Sequence, residues 1–270
     1  ILKLIVMKKY FVIGNPVDHS FSPKLHNYWF RENKIDAMYD KRKIIDKDLK
    51  TVISDLREKK INGINVTVPF KKAVIPYLDK LSFEAKQTHS VNTIILDNKD
   101  LVGYNTDIIG FTNAIKKLQF NILGKKVFIL GAGGVVPSII FALKKMNVLK
   151  IIVSNRTKKK AEDLKLQFHD LEILDWGDVT ECDVIINATS LGLNKESINL
   201  NFSKQENNKL FYDVIYNPAE TNFLKEAKKL GHKTENGKLM FVYQAAEAFK
   251  IWHGIEPRIN YKTLDILNND

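Results

Sequence analysis

Lys125-Lys126-Val127-Phe128-Ile129-Leu130-Gly131-Ala132-Gly133-Gly134-Val135-Val136-Pro137-Ser138 is the stretch from which the fold can be read. Val127 to Leu130 is a short apolar run between lysines and a glycine, the pattern of a parallel strand covered on both faces. Beyond the glycines, Val135, Ile139, Ala142, Leu143 and Met146 recur at helical spacing. Gly131 and Gly133 take the first two positions of a dinucleotide-type turn, and Val136 the third, where Gly or Ala is usual. Glycine there lets backbone approach a pyrophosphate, which rests on the free N–H groups of the helix start. Pro137 fits the first helical turn, where it removes only a donor that has no intrahelical partner. The same glycines also read as an ordinary tight turn, so the next strand matters.

That strand, Lys150-Ile151-Ile152-Val153-Ser154, runs into Asn155-Arg156-Thr157-Lys158-Lys159-Lys160. A site preferring NAD carries Asp or Glu about 20 residues after the first glycine, to hold the ribose 2′-hydroxyl. The segment here has no acid. An arginine fork with lysines beside it suits a 2′-phosphate, and so favours NADP. A solvated basic helix start capped by Thr157 would read the same way; its place at the cofactor-reading position favours the first reading.

The chain has 270 residues, 44% hydrophobic and 27% charged, the composition of a globular protein of one or two domains. Its only cysteine, Cys182, permits no intrachain disulfide and is expected to be a small buried residue, in keeping with a reducing cytoplasm. The net charge of +11, from 42 basic and 31 acidic residues, raises nucleic-acid binding. The lysines are spread along the whole chain, however, and neither zinc-finger spacing nor an aromatic RNA-binding motif is present, so solvated lysine-rich faces are the better reading. A positive field still attracts small anionic substrates and phosphorylated cofactors. The apolar start, Ile1 to Met7, is interrupted by Lys3 and is too short to cross a bilayer; it leaves two readings open, a natural start at Met7 with an extension ahead of it, or a natural chain that includes residues 1–6. The six histidines show no metal-ligand spacing.

Strand and helix patterns alternate almost throughout, which predicts an α/β fold. Tyr10 to Ile13 is a strand running into Gly14-Asn15-Pro16-Val17-Asp18-His19-Ser20-Phe21-Ser22-Pro23. Ser22 is expected as a helix cap and Pro23 as the first helical residue. Ser20 and Ser22 then stand beside a helix N-terminus, where a carboxylate is favoured, although capping and turn formation alone would also account for them. Leu49, Val52, Ile53 and Leu56 mark a helix. Ile61 to Thr67 reads as a buried strand whose end carries Asn65, Thr67 and, past Pro69, Lys71. His89 to Leu96 reads as another strand, Asp97-Asn98-Lys99-Asp100 as a hairpin turn, and Asn105-Thr106-Asp107 as a helix start, where Asp107 is also a plain capping carboxylate. Later, Asp183 to Ala188 and Leu210 to Ile215 read as strands, Gly231 to Gly237 as a polar connector, and Leu239, Val242, Ala246 and Phe249 as one face of a closing helix.

Taken in order, Gly14-Asn15-Pro16 with Ser20-Phe21-Ser22-Pro23, Asn65-Val66-Thr67-Val68-Pro69-Phe70-Lys71, Val91-Asn92-Thr93 and Gly103-Tyr104-Asn105-Thr106-Asp107 resemble the shikimate dehydrogenase family. Gly131-Ala132-Gly133-Gly134, Asn155-Arg156-Thr157, Asn187-Ala188-Thr189-Ser190-Leu191-Gly192, Tyr216-Asn217-Pro218 with Thr221, and Gln244-Ala245-Ala246 extend the resemblance from about Tyr10 to Trp252. It implies two α/β domains: a substrate domain with a mainly parallel sheet, residues 1–106 with C-terminal helices returning over 238–270, and a Rossmann-like NADP domain over 107–237. The implied reaction is reversible reduction of 3-dehydroshikimate to shikimate by NADPH, in a cytoplasmic monomer or homodimer. Lys71 is implied as proton donor and Asp107 as its partner. Ser20 and Ser22 are implied for the substrate carboxylate, and Thr67, Asn92, Tyr216 and Gln244 for the remaining substrate contacts. NADP contacts are implied at Gly131, Ala132, Gly133, Gly134, Val135, Asn155, Arg156, Thr157, Lys160, Thr189, Val214 and Gly237. Val135-Val136-Pro137 departs from the small residues usual after the glycines. Two alternatives share the fold: a quinate/shikimate enzyme using NAD, against which the Asn155-Arg156-Thr157 run speaks, and a non-catalytic dinucleotide-binding regulator, against which Lys71 and Asp107 speak.

Overall fold

A computed structural model describes residues 7–194, 196–203, 205 and 208–268; the residues ahead of Met7 lie outside the described residues. The chain forms two compact units, residues 1–110 with 242–270 (unit 1) and residues 111–241 (unit 2).

Unit 1 is built on β1 (Lys8–Gly14), α1 (Ser22–Glu32), β2 (Ala37–Lys43), α2 (Leu49–Arg57), β3 (Gly63–Val66), β4 (Lys80–Leu81), α3 (Phe83–Thr88), β5 (Thr93–Asp97) and β6 (Asp100–Tyr104). The sheet order is β2-β1-β3-β5-β6-β4. β1 runs parallel to β2 and β3, and β4 parallel to β6, while β5 is antiparallel to both of its neighbours. The buried stripe Leu49, Val52, Ile53 and Leu56 of α2 packs with Ile13, Ile64, Val66 and Ile94 from the sheet. Each such side chain taken out of water contributes about 1.5–3 kcal/mol. The part of α8 (Lys238–His253) that belongs to unit 1, from Val242 on, contributes Phe249 and Trp252 to an aromatic cluster with Tyr10, Trp29 and Phe30. Gly63 lets Trp252 lie on the sheet, since a Cβ there would fall 2.5 Å from the indole nitrogen. α9 (Tyr261–Asp265) ends the described chain, capped by Asn260.

Unit 2 contains most of α4 (Asp107–Lys117), then β7 (Lys126–Leu130), α5 (Val136–Lys145), β8 (Lys150–Ser154), α6 (Lys158–Gln167), β9 (Glu172–Leu174), β10 (Val184–Asn187), β11 (Leu210–Asp213), α7 (Asn222–Lys229) and β12 (Lys233–Glu235). Its order is β12-β11-β10-β7-β8-β9, with every pair parallel. Numbered from β7, this is the doubly wound order 3-2-1-4-5-6, and its switch point lies between β7 and β10. The inner strands β10 and β11 are buried along their length, as their apolar runs require.

Four sequence readings need correction. Gly231 to Gly237 is not only a connector: Lys233–Glu235 forms an edge strand, whose polar residues hide it from a hydrophobic pattern. The strand expected from His89 starts at Thr93, because His89 closes α3 in the left-handed conformation (φ 45°). β11 ends at Asp213, whose carboxylate then accepts the Ile215 N–H. Ser22 is not the cap of α1; it lies inside the first turn, after Phe21. The hairpin turn does fall at Asn98, with φ 54°, and Cys182 is buried.

Candidate functional site

Strand pairing in unit 1 brings its candidate residues to one end of the sheet. β1 and β3 finish together, with Thr67 N–H donating to Ile13 O and Asn15 N–H to Val68 O. β5 enters antiparallel at that end, since Thr93 pairs with Asn65, and β6 leaves there, since Tyr104 pairs with Thr93. The segments after β1, after β3, before β5 and after β6 carry Ser20 and Ser22, Thr67 and Lys71, Asn92, and Asp107 respectively.

Lys71 and Asp107, 36 residues apart, meet with Nζ 2.5 Å from Oδ2. Lys71 is only 9% exposed and Asp107 6%, which excludes a solvated surface lysine. Removing either partner would leave the other charge buried and uncompensated, at a cost of about 3–5 kcal/mol. Asp107 is the first residue of α4, and its N–H donates to Asn105 Oδ1 (3.1 Å). Its second oxygen accepts from Asn92 Nδ2 at 2.9 Å. Asn92 Nδ2 also donates to Thr106 Oγ1 (3.0 Å), and Asn92 Oδ1 accepts the Thr106 N–H (2.8 Å). Ser20 Oγ donates to Ser22 Oγ (3.1 Å) and accepts the Ser22 N–H (3.2 Å), so the two hydroxyls stay together at the start of α1. Thr67 is half-buried after β3, and Gln244 is half-buried on α8 within unit 1. Tyr216 lies in unit 2, where its ring stacks on Phe241 at 4.5 Å.

In unit 2 the glycine turn follows β7 at the switch point. Gly131 has φ +111°, and a Cβ on it would lie 2.8 Å from Ala188 O, so packing against the loop after β10 demands glycine. Gly133 differs: a Cβ there would meet nothing closer than Ala188 O at 3.9 Å. The protein itself leaves that space open, as close approach of a pyrophosphate requires. Gly133 is exposed, Ala132, Gly134 and Val135 are half-buried beside it, and Val135 precedes the first residue of α5. Thr189 donates both its N–H (3.0 Å) and its hydroxyl (2.7 Å) to Asn187 Oδ1. Val214 and Gly237 also come together, because a Cβ on Gly237 would overlap the Val214 carbonyl. After β8, Asn155 Nδ2 donates to Thr157 O (2.8 Å). Lys158 pairs with Asp175 and Lys159 with Asp163, whereas Arg156 and Lys160 stand exposed on the segment. The open backbone at Gly133 and the basic segment without an acid fit a dinucleotide bearing a 2′-phosphate.

Sequence reading missed Asp213. It is fully buried at the end of β11, and its carboxylate accepts from Asn187 Nδ2 (3.0 Å), Ile215 N–H (3.0 Å) and Thr221 Oγ1 (2.5 Å). Burial pushes its pKa up to about 6, against the pull of these donors. Its signal was an acid inside the apolar run Leu210 to Ile215. No group of metal-binding side chains occurs among the described residues, and no described helix is long and apolar enough to cross a membrane.

Three family models match the chain: shikimate dehydrogenase substrate binding domain over residues 12–94, shikimate/quinate 5-dehydrogenase over 113–222, and shikimate 5′-dehydrogenase C-terminal domain over 239–261. A shikimate dehydrogenase (NADP+) of Pelagibacter ubique is 53% identical over 97% of this chain and 100% of its own length. The crystal structure of shikimate dehydrogenase from Aquifex aeolicus superposes with TM-score 0.87 at 37% identity, covering 98% of each chain. That of Thermus thermophilus shikimate 5-dehydrogenase, in complex with NADP(H) and shikimate, gives 0.87 at 30% identity, covering 97% of this chain and 99% of its own. With identity of this extent across nearly its whole length, the chain belongs to the shikimate dehydrogenase family.

Proposed function

We propose that this protein catalyses the reversible NADP-dependent reduction of 3-dehydroshikimate to shikimate, with unit 1 holding the substrate and unit 2 the cofactor. The observation that carries the reading is the buried Lys71–Asp107 pair at the sheet end where the polar residues of unit 1 gather. When bound, NADPH supplies the hydride that reduces the C3 carbonyl. The chain's own residues hold a carboxylated polyol ring and move one proton. Lys71 Nζ gives a proton to the C3 oxygen as negative charge builds there, and recovers it in the oxidative direction. Asp107, fixed by Asn92, holds Nζ in one place. Ser20 and Ser22, paired at the start of α1, suit the substrate carboxylate, because the helix N-terminus adds its own donors and dipole. Thr67, Asn92 and Gln244 supply donors and acceptors for ring hydroxyls. The glycine turn takes the pyrophosphate, and Arg156 with Lys160 takes the 2′-phosphate.

The test is a matrix of shikimate or quinate, each with NADP+ or NAD+, followed by nicotinamide reduction. The expected result is fastest turnover with shikimate and NADP+. Faster turnover of quinate with NAD+ would replace this reading with the broader one, and no reduction in any combination would leave a non-catalytic dinucleotide binder.

A further inference from the structure

We propose that Tyr39, Asn65 and Thr93 are positioning residues for the Lys71–Asp107 pair, acting through Asn92; this rests on the reading of that pair as the proton-transfer pair. The three lie within unit 1 and are buried, at 2%, 7% and 0% exposure, so any influence they have on turnover passes through their neighbours. Tyr39 Oη donates to Asn65 Oδ1 at 2.7 Å. The other end of that amide, Nδ2, donates to Asn92 O (3.1 Å) and to Thr93 Oγ1 (3.0 Å). Thr93, having accepted, donates to Asn92 Oδ1 (3.1 Å). Asn92 Nδ2 then donates to Asp107 Oδ1, and Asp107 Oδ2 accepts from Lys71. Donors therefore point one way along the chain, from a phenol to a carboxylate, and each amide has partners at both ends.

The far end is anchored as firmly. The Tyr39 backbone is clasped by Asn27, whose amide accepts its N–H (2.9 Å) and donates to its carbonyl (2.8 Å). The Tyr39 ring lies flat on His26, centroids 4.4 Å apart and planes within 2°. Neither His26 nitrogen has a hydrogen-bond partner among the described residues, so the imidazole serves as a plate that fixes the phenol and competes for none of its bonds.

The experiment compares Thr93→Val, which removes the hydroxyl and keeps the shape, with Thr93→Ser, which keeps the hydroxyl, and adds Tyr39→Phe and Lys71→Ala. Turnover and the NADP+ Michaelis constant are measured below the melting temperature of each variant. Thr93→Val and Tyr39→Phe should each lower kcat about fivefold to tenfold with the NADP+ Michaelis constant unchanged, and Thr93→Ser should restore kcat. Wild-type kcat in Thr93→Val and Tyr39→Phe, beside an impaired Lys71→Ala, would overturn the positioning role. So would equal losses in Thr93→Val and Thr93→Ser, or losses no larger than the unfolded fraction seen by circular dichroism. Wild-type turnover in Lys71→Ala would instead overturn the reading of the pair.

Discussion

The two units gather their candidate residues at the ends of strands by opposite means. Unit 1 uses side chains that satisfy one another: Lys71, Asp107, Asn92, Thr106, Thr93, Asn65 and Tyr39 form one hydrogen-bonded set, almost all of it buried. Unit 2 uses side chains that are missing: Gly131 because the backbone after β10 leaves no room, Gly133 because room must stay open. The first arrangement fixes each side chain through its neighbours, so removing one member leaves others unpaired. The second leaves open backbone and exposed side chains, on which one residue can change without disturbing the fold. Their buried ionisable groups differ as well. Unit 1 holds a buried His26 and a half-buried His253, kept neutral by desolvation with pKa values lowered to about 3 and about 4, the charges of His253 and Lys8 respectively adding to the shift. Unit 2 buries the carboxyl of Asp213, raised to about 6.

The largest expected effect tests the unit 1 side. Lys71→Ala should lower turnover by about 10² to 10⁴, with a much smaller change in the shikimate Michaelis constant, because the lost contact acts mainly in the transition state. Steady-state kinetics with saturating NADP+ makes the measurement, and wild-type turnover would end the comparison, leaving Lys71 as a structural ion-pair partner.

On the unit 2 side, Arg156→Ala removes an exposed cation and should leave folding intact. If Arg156 holds the 2′-phosphate, a charge-assisted hydrogen bond contributes about 1.5–3 kcal/mol. The NADP+ Michaelis constant should then rise roughly tenfold to a hundredfold while that for NAD+ stays put. Equal changes with both cofactors would show that the segment reads no phosphate.

The smallest effects concern pH, and their signs oppose. The unfolded chain binds a proton at His26 near the ordinary pKa of 6.5, whereas the folded chain resists it down to about 3. Its contribution is therefore full above pH 6.5 and lost as pH falls. His26→Leu should recover roughly 1.5 kcal/mol relative to wild type between pH 6.5 and 5. Asp213 behaves in reverse: the folded state holds the proton up to about 6 against an ordinary 3.8, so stability is full below the lower value and lost as pH rises through the upper one. Asp213→Asn should gain roughly 1.5 kcal/mol relative to wild type between pH 4.5 and 6. Urea unfolding across that range checks both; slopes of the same sign would refute the contrast.

What was legible in the sequence was local. The glycine turn, the basic segment after β8, and Lys71 beyond a polar strand end announce themselves by residue type and spacing within a few positions. Asn65 stood out as a polar residue at a strand end, but its partnership with Thr93 did not, because that depends on β5 entering antiparallel between β3 and β6, a pairing set by contacts far apart in the chain. Asp107 read equally well as a helix cap until its carboxylate was seen to accept from Lys71 and Asn92. β12 was hidden because a solvated edge strand carries no hydrophobic pattern. Asp213 left one mark, an acid inside an apolar run, but its three donors come from β10 and from beyond β11 and meet only in the folded sheet.

The account stands on Lys71 and Asp107 acting as one unit, and a double-mutant cycle on turnover tests this most directly. Lys71→Ala, Asp107→Asn and the double variant are compared with wild type at saturating substrates. The double variant should lose little more than Lys71→Ala alone, since Asp107 has nothing to hold in place once the ammonium is gone. A double variant that loses the product of the two single losses would show that the residues act independently, and would contradict the mechanism.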